Sequence, residues 1–332
     1  VVSLVATAGW SQSLTWLGTL GGRVSEAWGV SADGSVVVGW AYNATGYLRA
    51  FRWQNGVMED LGTLGGGESR AYGVSADGSV VVGFAYNAAG QRRAFRWANG
   101  VMQDLGTLGG DGSWAWGVSA DGSVVVGYAL NAAGYGRAFR WQNGVMQDLG
   151  TLGGAWSEAR GVSADGSVVV GWAYNAAGQS RAFRWQNGVM QDLGTLPGYD
   201  RSWARGVSAD GSVVVGYAGN AAGQPRAFRW QNGVMQDLGT LPGYDRIWAY
   251  GVSADGSVVV GEAQNAAGAY RPFRWTAAGG MEDLNITYAS LLTDGSELRV
   301  AYAISPNGRY IVGRGYNAAT GRDEAFLLDT GP

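Results

Sequence analysis

Carboxylates recur through this sequence at a fixed spacing, so they are the first residues to weigh for chemistry. Six aspartates sit in copies of Ser-Ala-Asp-Gly-Ser, at Asp33, Asp77, Asp121, Asp165, Asp210 and Asp255; an altered copy reads Ser305-Pro306-Asn307-Gly308-Arg309. A Ca²⁺ site needs several oxygen ligands from one loop, and no loop here supplies them. Turn formation is the better account, since Asp-Gly is a strong two-residue hairpin signal. Glu262, Asp294 and Glu297 stand outside the repeated pattern. Two carboxylates at one cleft can cleave a glycosidic bond, and the segment from Ile286 to Leu292 has the length to fold over the centre of the molecule near them. That enzyme reading is the subordinate one: catalytic groups are singular residues in special environments, and nearly every other charged residue here has copies. The chain has no Cys and no His, which removes disulfides, thiol chemistry, Cys/His metal sites and every His-dependent general base. We expect no catalysis, no metal and no cofactor.

A second set of residues varies from copy to copy. At one position the copies read Trp28, Tyr72, Trp116, Arg160, Arg205, Tyr250 and Tyr302. Two residues earlier they read Glu26, Arg70, Trp114, Glu158, Trp203, Trp248 and Val300. Further along come Trp40, Phe84, Tyr128, Trp172, Tyr217, Glu262 and Arg314, followed two residues later by Tyr42 and its counterparts. Trp, Tyr and Arg supply most binding energy at recognition surfaces, and aromatic faces stack on sugars and cations. The candidate ligand-binding residues are Trp28, Tyr42, Arg70, Tyr72, Trp114, Trp116, Trp156, Arg160, Trp203, Arg205, Trp248 and Tyr250. The competing account is that they cap the upper edges of the strands as ordinary packing.

These residues are positioned by a repeat. The Asp-Gly turns are spaced 44 or 45 residues apart, the period of a four-stranded propeller blade. One unit contains a short strand A (Trp28 to Ser31), the Asp33-Gly34 turn, strand B (Ser35 to Tyr42), a turn at Asn43, strand C (Arg49 to Trp53), the Asn55-Gly56 hairpin and strand D (Met58 to Leu64). Strand B is rich in β-branched and aromatic residues, and no segment keeps a helical period. The expectation is an all-β, seven-bladed β-propeller with four antiparallel strands per blade. It would be one domain over residues 1–332, with a diverged final repeat over 286–328. Sheets stacked around an axis bury both faces, so the strand-C tryptophans (Trp53, Trp97, Trp141, Trp185, Trp230 and Trp275) read as packing between blades.

The termini complement each other. Thr15 to Leu20 copies strand D with no blade before it, and Glu324 to Leu328 copies strand C with no strand D after it. The N-terminal strand is therefore expected to complete the last blade; a contiguous blade beginning at Thr15 is the other scheme. Six repeats pair an Arg opening strand C (Arg49, Arg93, Arg137, Arg181, Arg226, Arg271) with an Asp in strand D (Asp60, Asp104, Asp148, Asp192, Asp237, Asp283). In the closing blade Glu324 and Trp16 replace both members. This is the pattern of a diagonal cross-strand ion pair.

The 332 residues include 58 Gly, carry only 15% charged residues and have a net charge of −3. That balance attracts neither nucleic acid nor acidic lipid. All 23 basic residues are Arg, which suits fixed planar pairings and equally suits a codon bias. No apolar run has the ~18 residues of a membrane span. Val1 to Ala8 reads either as the remnant of a signal peptide or as a cut within a longer chain.

The order of turns and strands resembles the WD-repeat propellers. It is more similar to the bacterial HAF repeats, through Leu61-Gly62-Thr63-Leu64-Gly65-Gly66, Val82-Gly83 and Arg93-Ala94-Phe95-Arg96-Trp97. Arg93 stands where that family has His, so nothing resting on the His carries over. The resemblance implies an extracellular or cell-surface bacterial protein and no known activity.

The variable positions all fall on the strand ends and loops of one side, the top, while the Asp-Gly and Asn-Gly turns of the bottom hardly change. We therefore expect a monomeric, non-catalytic binding or scaffold propeller with shallow aromatic sites between neighbouring blades of its top face. The partner is a carbohydrate or a surface protein. The alternative is a passive spacer or docking platform without a small-molecule ligand.

Overall fold

The computed structural model describes residues 11–332; Val1 to Ala8, the candidate signal remnant, lie outside the described residues. Each repeat is organised locally before it packs. At the first A–B turn the Asp33 carboxylate accepts from Ser31 Oγ at 2.9 Å, Ser35 N at 2.9 Å and Ser35 Oγ at 2.7 Å, while Val36 N donates to Ser31 Oγ at 3.0 Å. These bonds hold the turn carboxylates below their ordinary range, Asp77 and Asp210 at about 2. In the altered copy Asn307 Oδ1 makes the equivalent contacts to Ser305 Oγ and Arg309 N, so the turn needs an acceptor and not a charge. At the C–D hairpin Asn55 and Gly56 both have positive φ, 52° and 77°. That is the mirror-image turn whose twist matches its flanking strands.

The chain is an all-β propeller of repeated four-stranded antiparallel sheets. The first full repeat has strand A at Gly21–Val30, B at Val36–Asn43, C at Leu48–Gln54 and D at Val57–Asp60. Strand A is longer than its sequence suggests and strand D shorter. The Leu61 to Leu64 segment leaves the sheet because Asp60 Oδ1 accepts from Gly62 N at 2.8 Å and Gly62 takes a φ of 82°. Five sheets stand separately. The other eight strands form one sheet, in which Gly21–Val30 meets Arg322–Asp329 through the single parallel bridge Val24↔Asp323. Ser13–Trp16 lies antiparallel against Arg322–Asp329, with Trp16 opposite Phe326. The N-terminal strand thus joins the last repeat, and the contiguous scheme from Thr15 is not adopted.

The core lies between sheets. A representative cluster joins Val36, Val38, Ala50 and Leu61 of one repeat to Val81, Phe95 and Trp97 of the next. The strand-C tryptophans from Trp97 to Trp275 are buried in such clusters, and Trp53 is half-buried. Each buried large side chain contributes roughly 1.5–3 kcal/mol. Three polar links cross a typical junction. Ser69 Oγ accepts from Ala50 N at 2.8 Å, Arg52 Nε donates to Gly78 O at 2.9 Å, and Ala32 N donates to Ala76 O at 2.9 Å. The last kind continues from turn to turn as far as Ala254 N to Pro306 O. Pro306 has no N–H to carry the series on to Ala32.

The expected Arg–Asp pair forms in five of six repeats, at 3.2–3.6 Å. Arg137 instead donates to the Ala155 carbonyl, leaving Asp148 to accept from Gly150 N at 2.8 Å. The pairs are partly exposed, and such pairs are worth ~0–1 kcal/mol.

The Ile286–Leu292 segment does not fold over the centre. It forms a helical turn at Leu284–Thr287 and a 3₁₀ turn at Ala289–Leu291, and it buries Tyr288 beside Phe326 and Leu328. Leu328 stands at the strand-C tryptophan position, and Tyr288 fills the space: Arg274 lies over its ring at 5.6 Å, much as Arg52 lies over Trp97 at 6.0 Å. The reason is apolar burial, which outweighs any gain from a loose lid.

Candidate functional site

The site begins with an irregularity in strand A. Ala27 pairs with Gly39, but Gly29 pairs with Val38, so Trp28 is an extra residue with no partner on strand B. The same shift isolates Tyr72, Trp116, Arg160, Arg205, Tyr250 and Tyr302 in the later repeats. A β-bulge bends its strand and re-aims the bulged side chain. The glycine of strand B makes room for it: a Cβ on Gly39 would lie 1.9 Å from the Glu26 carbonyl oxygen.

Every bulged residue lines one cavity of about 230 Å³ at the top of the central channel. They touch one another around its rim. Trp28 stacks on Tyr302 at 3.9 Å and meets Tyr72 edge-on at 5.1 Å. Tyr72 lies 4.4 Å from Trp116, and the Arg160 guanidinium sits 4.1 Å from the Trp116 ring. Arg205 lies 4.8 Å over Tyr250, which lies 5.7 Å from Tyr302. Arg160 and Arg205 complete the circuit as neighbours of like charge. Beneath the rim the channel is lined by an apolar collar running from Val30 to Val252 and Ile304.

A second tier of charges stands behind the rim. Glu26 accepts from Arg314 Nη1 at 2.8 Å and from Trp28 Nε1 at 3.0 Å. Glu158 accepts from Arg160 Nη2 at 2.7 Å and from Trp156 Nε1 at 3.1 Å. Glu262 accepts from Tyr250 Oη at 2.6 Å. Burial pushes the Glu26 and Glu262 carboxyls up, against the opposing pull of these partners. Burial likewise raises the Tyr72, Tyr250 and Tyr302 hydroxyls and lowers Arg160, which Arg205 lowers further.

Of the twelve candidate residues, the cavity gathers Trp28, Tyr72, Trp116, Arg160, Arg205 and Tyr250. They line this one central cavity together rather than lying separately between neighbouring blades, because the bulge turns these side chains to the axis. The other six lie farther out. Arg70 pairs with Glu68 and spans Trp40 and Phe84 at 5.3 and 5.7 Å. Trp114 and Trp203 stack on Tyr128 and Tyr217 at 4.3 and 5.1 Å. Trp248 stands opposite Glu262, Trp156 is held by Glu158, and Tyr42 lies under Arg23 at 5.2 Å.

Tyr302 belongs to the rim and was absent from the candidate set. Its signal was the alanine on each side, Ala301 and Ala303, standing for the Ala-x-Gly frame around every other bulge. Asp294 and Glu297 do not approach Glu262 at the cavity: Asp294 accepts from Ser296 N at 2.9 Å, and Glu297 is paired with Arg271. Among the described residues no helix is long and apolar enough to cross a membrane.

No family model matches the sequence, and no curated protein matches it. Among solved structures the chain is similar to a protein assigned as TolB from Agrobacterium tumefaciens, at 15% identity and a TM-score of 0.48, over 77% of this chain and 88% of that one. It is also similar to TolB from Acinetobacter baumannii, at 12% identity and a TM-score of 0.49, over 95% of this chain and 65% of that one.

Proposed function

We propose that this chain is a single seven-bladed propeller domain and a non-catalytic binding module that takes its ligand at the top of the central channel. The blade count follows from dividing the eight-stranded sheet at its single Val24↔Asp323 bridge. One observation carries the functional reading: a position that varies among near-identical repeats is the position that a bulge turns into a common cavity. Packing alone would be served as well by identical residues. An unlike set of Trp, Tyr and Arg gives an asymmetric rim of the residue types that dominate binding energy.

A protein segment fits this rim better than a repeated sugar, since its positions mix Trp, Tyr and Arg rather than repeating one face. A glycan is the second reading. It is favoured by the half-buried stacked pairs Trp114–Tyr128 and Trp203–Tyr217 farther out. The resemblance to HAF repeats supports a bacterial cell-surface setting.

The test is selection of a displayed peptide library on the immobilised protein, run beside a broad glycan array. Peptide enrichment lost in Trp116→Ala supports the protein reading. Glycan binding lost in Trp203→Ala supports the glycan reading. Binding in neither format leaves a passive spacer.

A further inference from the structure

The rim is chemically divided. On one arc stand Trp116, Arg160 and Arg205, and each keeps an unused donor. Trp116 Nε1 and Arg160 Nε are buried without a hydrogen-bond partner, and the Arg205 guanidinium makes no hydrogen bond or ion pair among the described residues. A buried donor left unpaired costs ~1–3 kcal/mol, which an incoming acceptor recovers. On the other arc the polar groups of Trp28 and Tyr250 are already spent on Glu26 and Glu262, and the arc offers aromatic ring faces with the Tyr72 and Tyr302 hydroxyls but no cation. The floor is the valine collar.

Resting on the binding reading above, we infer that the cavity recognises a carboxylate carried on an apolar body. The acid would lie against Arg205, Arg160 and Trp116, and the body would lie against the opposite aromatic faces above the collar. Three donors and no free acceptor on one arc select an anion, because bonds to an ionised acceptor are roughly twice as strong as neutral ones. Planar guanidinium groups match the two oxygens of a carboxylate. The volume of about 230 Å³ falls below the ~300–1,000 Å³ of drug-sized sites, so it takes a short acid or the terminal residue of a chain. The nearby carboxylates set the strength of binding. Glu158 neutralises Arg160 and Glu26 is matched by Arg314, which leaves Glu262 as the charge opposing an anion at Arg205.

Calorimetric titration of the whole protein with hexanoate, acetate and the neutral hexanamide tests this. Hexanoate is expected to bind at least ten-fold tighter than either of the others. Arg205→Gln is expected to weaken hexanoate at least ten-fold, and Glu262→Gln to tighten it several-fold. Equal binding of hexanoate and hexanamide, or an unchanged Arg205→Gln variant, overturns the inference, as does no hexanoate binding at all. A Leu-terminated peptide with free or amidated terminus separates the sources. Binding of the free-terminus peptide alone assigns the acid to a chain end, and hexanoate binding without peptide binding assigns it to a free small acid. A peptide or glycan that Trp116→Ala abolishes while Arg205→Gln spares refutes the anion and keeps the binding module.

Discussion

The Trp28 indole lies flat on the Tyr302 ring, 3.9 Å between centroids and 14° from parallel, and so joins the strands A of the first and last repeats. Trp28 also donates to buried Glu26. Trp28→Ala removes both the stack and the donor. We expect a loss of roughly 2–3 kcal/mol in denaturant unfolding, below the range for a fully buried tryptophan because this one is half-buried. Trp28→Phe keeps a ring against Tyr302 and should recover about half of that.

Ser13–Trp16 covers the outer edge of the last repeat, where Trp16 meets Phe326 edge-on at 6.3 Å. Removing residues 1–17 uncovers the edge of Arg322–Asp329, and uncovered edges pair with other chains. The truncated protein is expected to unfold at lower temperature and to form oligomers in light scattering at concentrations where the full chain does not.

Tyr288 plugs the junction where Leu328 replaces a tryptophan. Tyr288→Ala should cost about 3–5 kcal/mol, as for other large aromatic truncations. Tyr288→Phe, which keeps the ring under Arg274, should cost less than about 1.5 kcal/mol. Equal unfolding midpoints for the two variants would refute this role.

Asp104 accepts from Gly106 N at 2.8 Å and faces Arg93 at 3.5 Å, whereas Asp148 has the backbone bond and no ion pair. If the backbone bond dominates, Asp104→Ala and Asp148→Ala lose the same stability, about 1 kcal/mol each. A clearly larger loss at Asp104 would return the weight to the ion pair.

The turn aspartates hold their carboxyls below the unfolded value of ~3.9, with Asp77 at about 2 through its bonds from Ser79 and Ser75. A group depressed on folding stabilises the protein above its unfolded pKa and loses that contribution as pH falls through its folded one. Thermal stability should therefore drop between about pH 4 and pH 2. Asp77→Asn, which copies the turn at Asn307, should show a shallower drop across that window.

The repeated strands, the tight turns and the complementary termini were legible because each rests on short-range chemistry. Asp33 and Asn55 act within five residues of themselves, and a period of 44 or 45 is visible by counting. The strand boundaries were less legible at Leu61 to Leu64, whose apolar residues suit a strand but serve the core from a loop held by Asp60. The link from Arg52 to Gly78 was hidden because its partner is a backbone carbonyl, which every sequence offers everywhere.

The amino-acid order by itself determined that this chain makes near-identical four-stranded units that vary at a few equivalent positions, among them the strand-A position of Trp28. Only the tertiary structure decided where that position points. Alternation along a regular strand would pair Trp28 across the sheet; the bulge between Ala27 and Gly29 turns it toward the axis instead. Residues such as Trp116, Arg160 and Arg205, 44 or 45 apart in sequence, become neighbours because stacking the sheets is the way to bury both their faces.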